Sequence, residues 1–78
     1  MELKDNVFYE DLAFSALEFS RTVINSSTFE RCEFLDCDFT ESQFNDCKFM
    51  ECVFRDCNLG LVKLTQTRFI ETRFELCK

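Results

Sequence analysis

The sequence predicts an all-β fold, a right-handed quadrilateral β-helix of about four coils, and three observations carry that prediction. A large apolar residue recurs at every fifth position, in the row Tyr9, Phe14, Phe19, Ile24, Phe29, Phe34, Phe39, Phe44, Phe49, Phe54, Leu59, Leu64, Phe69, Phe74. Ten of the 11 phenylalanines stand in that row, and Phe8 stands outside it. Two places before each large residue lies a small or apolar one: Val7, Leu12, Leu17, Thr22, Ser27, Cys32, Cys37, Ser42, Cys47, Cys52, Cys57, Val62, Thr67, Thr72, Cys77. The other three positions of each pentad hold nearly all the charge, which must face water.

An α-helix cannot produce this period. At 100° per residue, five residues advance about 500°, so successive centres would wander around the helix. A long flat strand fails as well, because five is odd and alternate centres would fall on opposite faces. A short extended segment places a centre and the residue two before it on one side, and a corner then turns the chain. Corners of about 90° close a square coil of about 20 residues, and coils stack at about 4.8 Å.

The predicted core is four inward columns: Phe14, Phe34, Phe54, Phe74; Phe19, Phe39, Leu59; Ile24, Phe44, Leu64; and Phe29, Phe49, Phe69. Backbone amides point along the axis, so hydrogen bonds between coils satisfy groups that a lone short strand would leave bare. That cooperation lets a short chain fold. The chain has one glycine, Gly60, so the corners are expected to be type I or similar turns that accept ordinary residues.

A chain of 78 residues is read as a single domain spanning 1–78, with 1–6 as an N-terminal lead-in. The 15 acids against 9 cations leave a net charge of −6, which disfavours direct contact with nucleic-acid phosphates and favours a basic protein partner. Met1-Glu2-Leu3-Lys4-Asp5 does not resemble a signal peptide, and no apolar run is long enough to span a bilayer, so no membrane contact and a cytoplasmic location are expected. Asn25-Ser26-Ser27 matches a glycosylation triplet, which such a location leaves unused.

All six cysteines stand in the small row. Their spacing is five or a multiple of five, with no C-x-x-C and no histidine, so no metal site is expected. Cys37, Cys57 and Cys77 share one column and Cys32 and Cys52 another. The coil spacing alone permits disulfides there, but parallel Cβ vectors and a reducing compartment favour buried thiols beside the stacked rings.

The stretch Phe29-Glu30-Arg31-Cys32-Glu33-Phe34-Leu35-Asp36-Cys37-Asp38-Phe39-Thr40-Glu41, followed by Cys47-Lys48-Phe49 through Cys57-Asn58-Leu59, resembles the pentapeptide-repeat family. The resemblance runs from about Val7 to Lys78, and its Cys-rich part is similar to the branch that protects topoisomerases from quinolones and albicidin. It implies a β-helix that imitates the shape and charge of duplex DNA and binds DNA gyrase or a relative such as topoisomerase IV. An uncovered terminal coil would bare backbone groups and the edges of Phe69 and Phe74, which predicts a tail-to-tail homodimer through the C-terminal coil or a longer parent chain.

The candidate partner-binding acids are Glu30, Glu33, Asp36, Asp38, Glu41, Asp46, Glu51 and Asp56, against Arg31, Lys48 and Arg55 in the same stretch. Those on the pentads of Phe34 and Phe39, with Asp56 stacked beyond Asp36, are expected to make one corner of the rod negative. A solvated wall accounts for the same acids without a partner. Lys63, Arg68, Arg73 and Lys78 fall on successive sides and make no basic patch. Met50 and Ile70, 20 residues apart, and Leu35, Val53 and Leu61 face outward as apolar candidates for contact.

Without histidine, a glycine-rich loop or a nucleophile elbow, no catalytic residue, cofactor or metal is expected. Two functions follow: a non-enzymatic, acidic DNA mimic that binds DNA gyrase or another type II topoisomerase and confers drug protection, or a structural adaptor module for an unrelated protein.

Overall fold

A computed structural model describes residues 2–78. Eleven strands of three residues each follow one another: β1 (Phe8–Glu10), β2 (Ala13–Ser15), β3 (Val23–Asn25), β4 (Thr28–Glu30), β5 (Glu33–Leu35), β6 (Gln43–Asn45), β7 (Lys48–Met50), β8 (Val53–Arg55), β9 (Lys63–Thr65), β10 (Arg68–Ile70) and β11 (Arg73–Glu75). They form three parallel sheets, β1-β4-β7-β10, β2-β5-β8-β11 and β3-β6-β9. The fourth side is held by the isolated bridges of Asp38 to Glu18 and to Asn58. The chain is a right-handed, four-sided β-helix, and sheets of four, four and three strands put it between three and four coils.

Each residue pairs with the one 20 places later, as in Phe29 with Phe49 and Phe34 with Phe54. That register is why the rings stack. Tyr9, Phe29, Phe49 and Phe69 lie 4.8, 4.7 and 5.0 Å apart between centroids, within 12° of parallel. Rings on neighbouring sides of one coil meet edge-on, as Phe29 does Phe34 at 5.7 Å. Both arrangements suit the aromatic quadrupole.

The corners differ from the expectation. The residue two after every centre has a positive φ, from Glu71 at 47° to Glu41 at 59°, and none of these residues is glycine. Its N–H donates to a carbonyl of the next coil, as Asp36 does to Arg55 and Asp46 to Thr65. A left-handed residue costs about 1–2 kcal/mol for an ordinary side chain, and it aims a donor along the axis where the stack supplies an acceptor. At Phe39–Ser42 and Leu59–Val62 the fourth N–H also returns to the first carbonyl, at 3.0 and 3.3 Å. With Glu41 and Leu61 at positive φ, these are type II turns. Gly60 sits one place before the residue that takes that strain.

Burial along the five-residue row is complete through the middle of the stack and falls away toward the last coil. Phe14, Phe19, Phe29, Phe34, Phe39, Phe44, Phe49 and Phe54 are buried. Leu59 and Phe69 are half-buried, while Leu64 and Phe74 remain 51% and 46% exposed. Among the described residues, none stacks beyond them.

The lead-in does more than precede the first coil. Leu3 is buried in the core cluster, where the five-residue register would have placed Lys4. Lys4 donates its N–H to the Tyr9 hydroxyl at 2.8 Å and accepts from Ser27 Oγ at 2.6 Å. Asp5 accepts from the Asn25 N–H at 2.8 Å. The chain measures 26 × 23 × 22 Å, a squat prism rather than the expected rod.

Candidate partner-binding surface

The side chain two before each centre bridges coils, and this explains the cysteines. Ser42 Oγ donates to Phe19 O at 2.6 Å, and Thr67 Oγ1 to Phe44 O at 2.9 Å. Cys32, Cys37, Cys47, Cys52 and Cys57 point their thiols at the equivalent carbonyls, 23 residues back, at 3.2–3.5 Å. The position needs a small donor that also fills apolar space, and a thiol is both. All six cysteines are free thiols. Burial raises the pKa of the five buried ones and pushes Cys52 and Cys57 up to about 11. They are poor nucleophiles at neutral pH.

The eight candidate acids divide among all four sides. Glu30 follows the centre of β4 and Glu33 opens β5. Asp38 lies on the bridged side, and Asp36, Asp56, Glu41, Asp46 and Glu51 occupy the positive-φ corners. Two are tied up: Glu41 lies 3.7 Å from Arg21, and Glu30 lies 3.4 Å from Arg31. Arg31 also reaches Glu10 and Asp11 at 2.7 Å each. This cluster holds the Asp11 carboxyl below its ordinary pKa, chiefly through the hydrogen bond from Arg31.

Asp36, Asp38 and Asp56 do come together. They line one open groove with Asn58, and Lys78 stands at one end of it. Among the described residues, none of the three is in an ion pair. Asp38 accepts from the hydroxyl and the N–H of Thr40, which orient its carboxylate and hold its pKa low. The groove exists because corner residues repeat every 20 positions, so Asp56 lies one coil beyond Asp36. Glu33, Asp46 and Glu51 are elsewhere, so the acidic corner is narrower than the stretch of sequence that predicted it.

A family model described as a pentapeptide repeat region matches residues 27–78, two thirds of the chain. The chain belongs to the pentapeptide-repeat family. No curated protein matches it closely enough to count as a relative. Among solved structures it is similar to a trypsin-treated variant of QnrB1, a plasmid-mediated fluoroquinolone resistance protein, at 18% identity and a TM-score of 0.34. That match covers 91% of this chain and 49% of QnrB1, so the chain spans about half the length of that protein.

Outside the groove, this pentapeptide-repeat chain sets Met50 beside Ile70 on the outer face of β7 and β10, with Ile70 39% exposed. Lys63, Arg68 and Arg73 open β9, β10 and β11 and so lie on three different sides. Among the described residues no three His, Cys, Asp or Glu side chains, those of the groove included, sit close enough to hold one metal ion, and no helix is long and apolar enough to cross a membrane. Two features escaped sequence reasoning: the Arg31 cluster, whose only signal was one cation stacked 20 residues from Asp11, and the Leu3 plug, which breaks the register.

Proposed function

We propose that this pentapeptide-repeat chain is a non-enzymatic, cytoplasmic protein-binding module. Its acidic corner occupies a basic DNA-binding surface of DNA gyrase or another type II topoisomerase, such as topoisomerase IV, and shields that enzyme from drug. The observation that carries this reading is the groove of Asp36, Asp38 and Asp56, whose carboxylates have no ion-pair partner among the described residues, on a chain of net charge −6. Charge presented in that form steers association with a cationic surface and weakens as salt rises. The resemblance of the Cys-rich stretch to the topoisomerase-protecting branch supplies the choice of enzyme. At 26 Å in its longest dimension the chain is shorter than one turn of duplex, roughly 34–36 Å, so its mimicry covers part of a turn.

A supercoiling assay with purified gyrase, with and without a fluoroquinolone or albicidin, tests the proposal. Inhibition or protection is expected with the native chain, and a large loss of either with D36K/D38K. Glu30→Lys, at an acid already paired with Arg31, should matter less. No effect of the native chain on the enzyme in either condition discards the reading. The apolar pair Met50 and Ile70 favours a second one, an adaptor that docks through the β7–β10 face. Binding to a partner that survives high salt and is lost in Ile70→Asp would select it.

A further inference from the structure

We infer that the outer wall formed by β7 and β10 is a docking face for an acidic amphipathic helix of a partner protein, whose carboxylates meet Lys48 and Arg68 while its apolar stripe covers Met50 and Ile70.

Each three-residue strand turns its middle side chain inward and the two beside it outward. On this wall Lys48 pairs in register with Arg68, and Met50 with Ile70. Two columns result, one cationic and one apolar, about 6.6 Å apart across the strand, with rungs about 4.8 Å apart along the coil axis. Outward side chains stand perpendicular to that axis, so coils stacked above or below leave the wall open.

Both columns depart from what a solvated wall needs. Like charges opposite one another on paired strands repel. Among the described residues, Lys48 with Arg68 is the only pair of cations set in register. Arg21, Arg31 and Arg73 each lie within ion-pair distance of an acid, whereas Lys48 and Arg68 have no such partner among the described residues. The apolar column leaves Ile70 39% exposed beside a half-buried Met50. Two departures on the same two strands mark a surface that a partner completes.

Charge complementarity selects the occupant. Beside the cations lies an open groove of about 640 Å³ lined by Thr28, Asp46, Lys48, Gln66 and Arg68. Its acid, Asp46, pairs with neither cation. On the opposite flank the corner residues Glu51 and Glu71 follow Met50 and Ile70, and Glu30, one coil before Met50, is held by Arg31. A partner's carboxylates are attracted to the Lys48 column and repelled from the far edge, which fixes the way round it lies. A helix laid along the coil axis meets this pattern, because its residues three and four apart stand about 5–6 Å from each other, close to the rung spacing. Successive acids then sit over Lys48 and Arg68, and the apolar stripe beside them covers Met50 and Ile70. This inference rests on the adaptor reading of the β7–β10 wall and is independent of the acidic groove.

Fluorescence anisotropy of the 78-residue chain with labelled peptides of about 18 residues, long enough to hold a helix in isolation, is the test. One peptide carries a leucine stripe flanked by glutamates, a second has glutamine in their place and a third lysine. The glutamate peptide should bind tightest and the lysine peptide weakest. Its binding should fall but persist at about 1 M salt, where charges are screened beyond ~3 Å. Lys48→Glu/Arg68→Glu should weaken the glutamate peptide about tenfold at low salt and leave the glutamine peptide unchanged. The same change in net charge on two other sides, Lys63→Glu/Arg73→Glu, should have little effect. Asp46→Asn should tighten binding about twofold. Circular dichroism checks that each variant keeps the native fold, and Lys48→Ala/Arg68→Ala replaces the reversal if it misfolds. If the glutamine peptide binds as tightly as the glutamate one and Ile70→Asp abolishes both, the adaptor reading stands and this inference fails. Equal weakening by the two double reversals overturns it too, and if no peptide binds, both readings of the wall fall. Phosphatidylserine vesicles that bind where the glutamate peptide does not would assign the wall to a membrane and overturn the inference.

Discussion

The head and the tail of this molecule are built from one repeat, yet they end in opposite ways. At the head, Leu3 leaves the five-residue register and is buried, while Val7 and Leu17 pack against the core from positions that hold cysteine further on. At the tail the same positions hold Thr67, Thr72 and Cys77, and Phe74 and Leu64 stay about half exposed. A repeat stack is sealed by a few side chains too large for its interior, and its period says nothing about where they fall. Between the ends, rings such as Phe29 and Phe34 are covered from both sides and fully buried.

The largest expected effect breaks the comparison between middle and tail. Phe34→Ala should cost about 3–5 kcal/mol and unfold much of the population, because stability in so small a domain is itself only about 5–15 kcal/mol. Phe74→Ala should cost about 1 kcal/mol, since half its ring already meets water. Urea melts of the two variants decide it, and equal losses would mean that the tail is covered in solution.

Next comes the head against the tail. Leu3→Ala should cost about 2–3 kcal/mol and Leu64→Ala under about 1 kcal/mol. If both melt alike, Leu3 is not a plug.

The thiols sharpen the picture of the middle coils through pH. Burial raises Cys52 and Cys57 to about 11, above the roughly 8.5 of an unfolded thiol. The folded state therefore keeps protons that the unfolded state sheds, so their contribution is fully present below pH ~8.5 and is lost as pH climbs toward about 11. Melting midpoints should fall across that window. In Cys52→Ala/Cys57→Ala the fall should be shallower, and an unchanged slope counts against burial as the cause.

The smallest effect lies in the corners. Leu61→Gly should be neutral or stabilising by up to about 1 kcal/mol, because glycine bears no left-handed penalty while gaining chain entropy when unfolded. Gly60→Ala should destabilise by no more than about 1 kcal/mol, since the φ of Gly60 is open to any residue but an added Cβ would meet Asn58 Oδ1 at 3.2 Å and shift that side chain. A clear destabilisation by Leu61→Gly would show that the leucine side chain contributes to the turn.

The five-residue period and the 20-residue wrap were legible in Phe14, Phe34 and Phe54, because a buried column tolerates only apolar side chains and so writes itself into composition. The cysteine row was legible as small and inward, but its hydrogen bonds to carbonyls 23 residues back were not, because serine, threonine and cysteine share the position only in three dimensions. The groove of Asp36, Asp38 and Asp56 followed from the wrap, as did the stacking of Arg21 on Glu41 20 residues on, while the reach of Arg31 to Glu30 and Glu10 depends on a side-chain conformation that no spacing encodes.

The order of inside and outside, the parallel columns and the acidity of the wall were determined by sequence alone, since each depends on which side chains water accepts. The sign of φ at every corner, the burial of Leu3 in place of Lys4 and the opening at Phe74 were decided by the tertiary structure. Those features arise from closing a square coil and from having a neighbour above or below, and a local stretch of residues encodes neither.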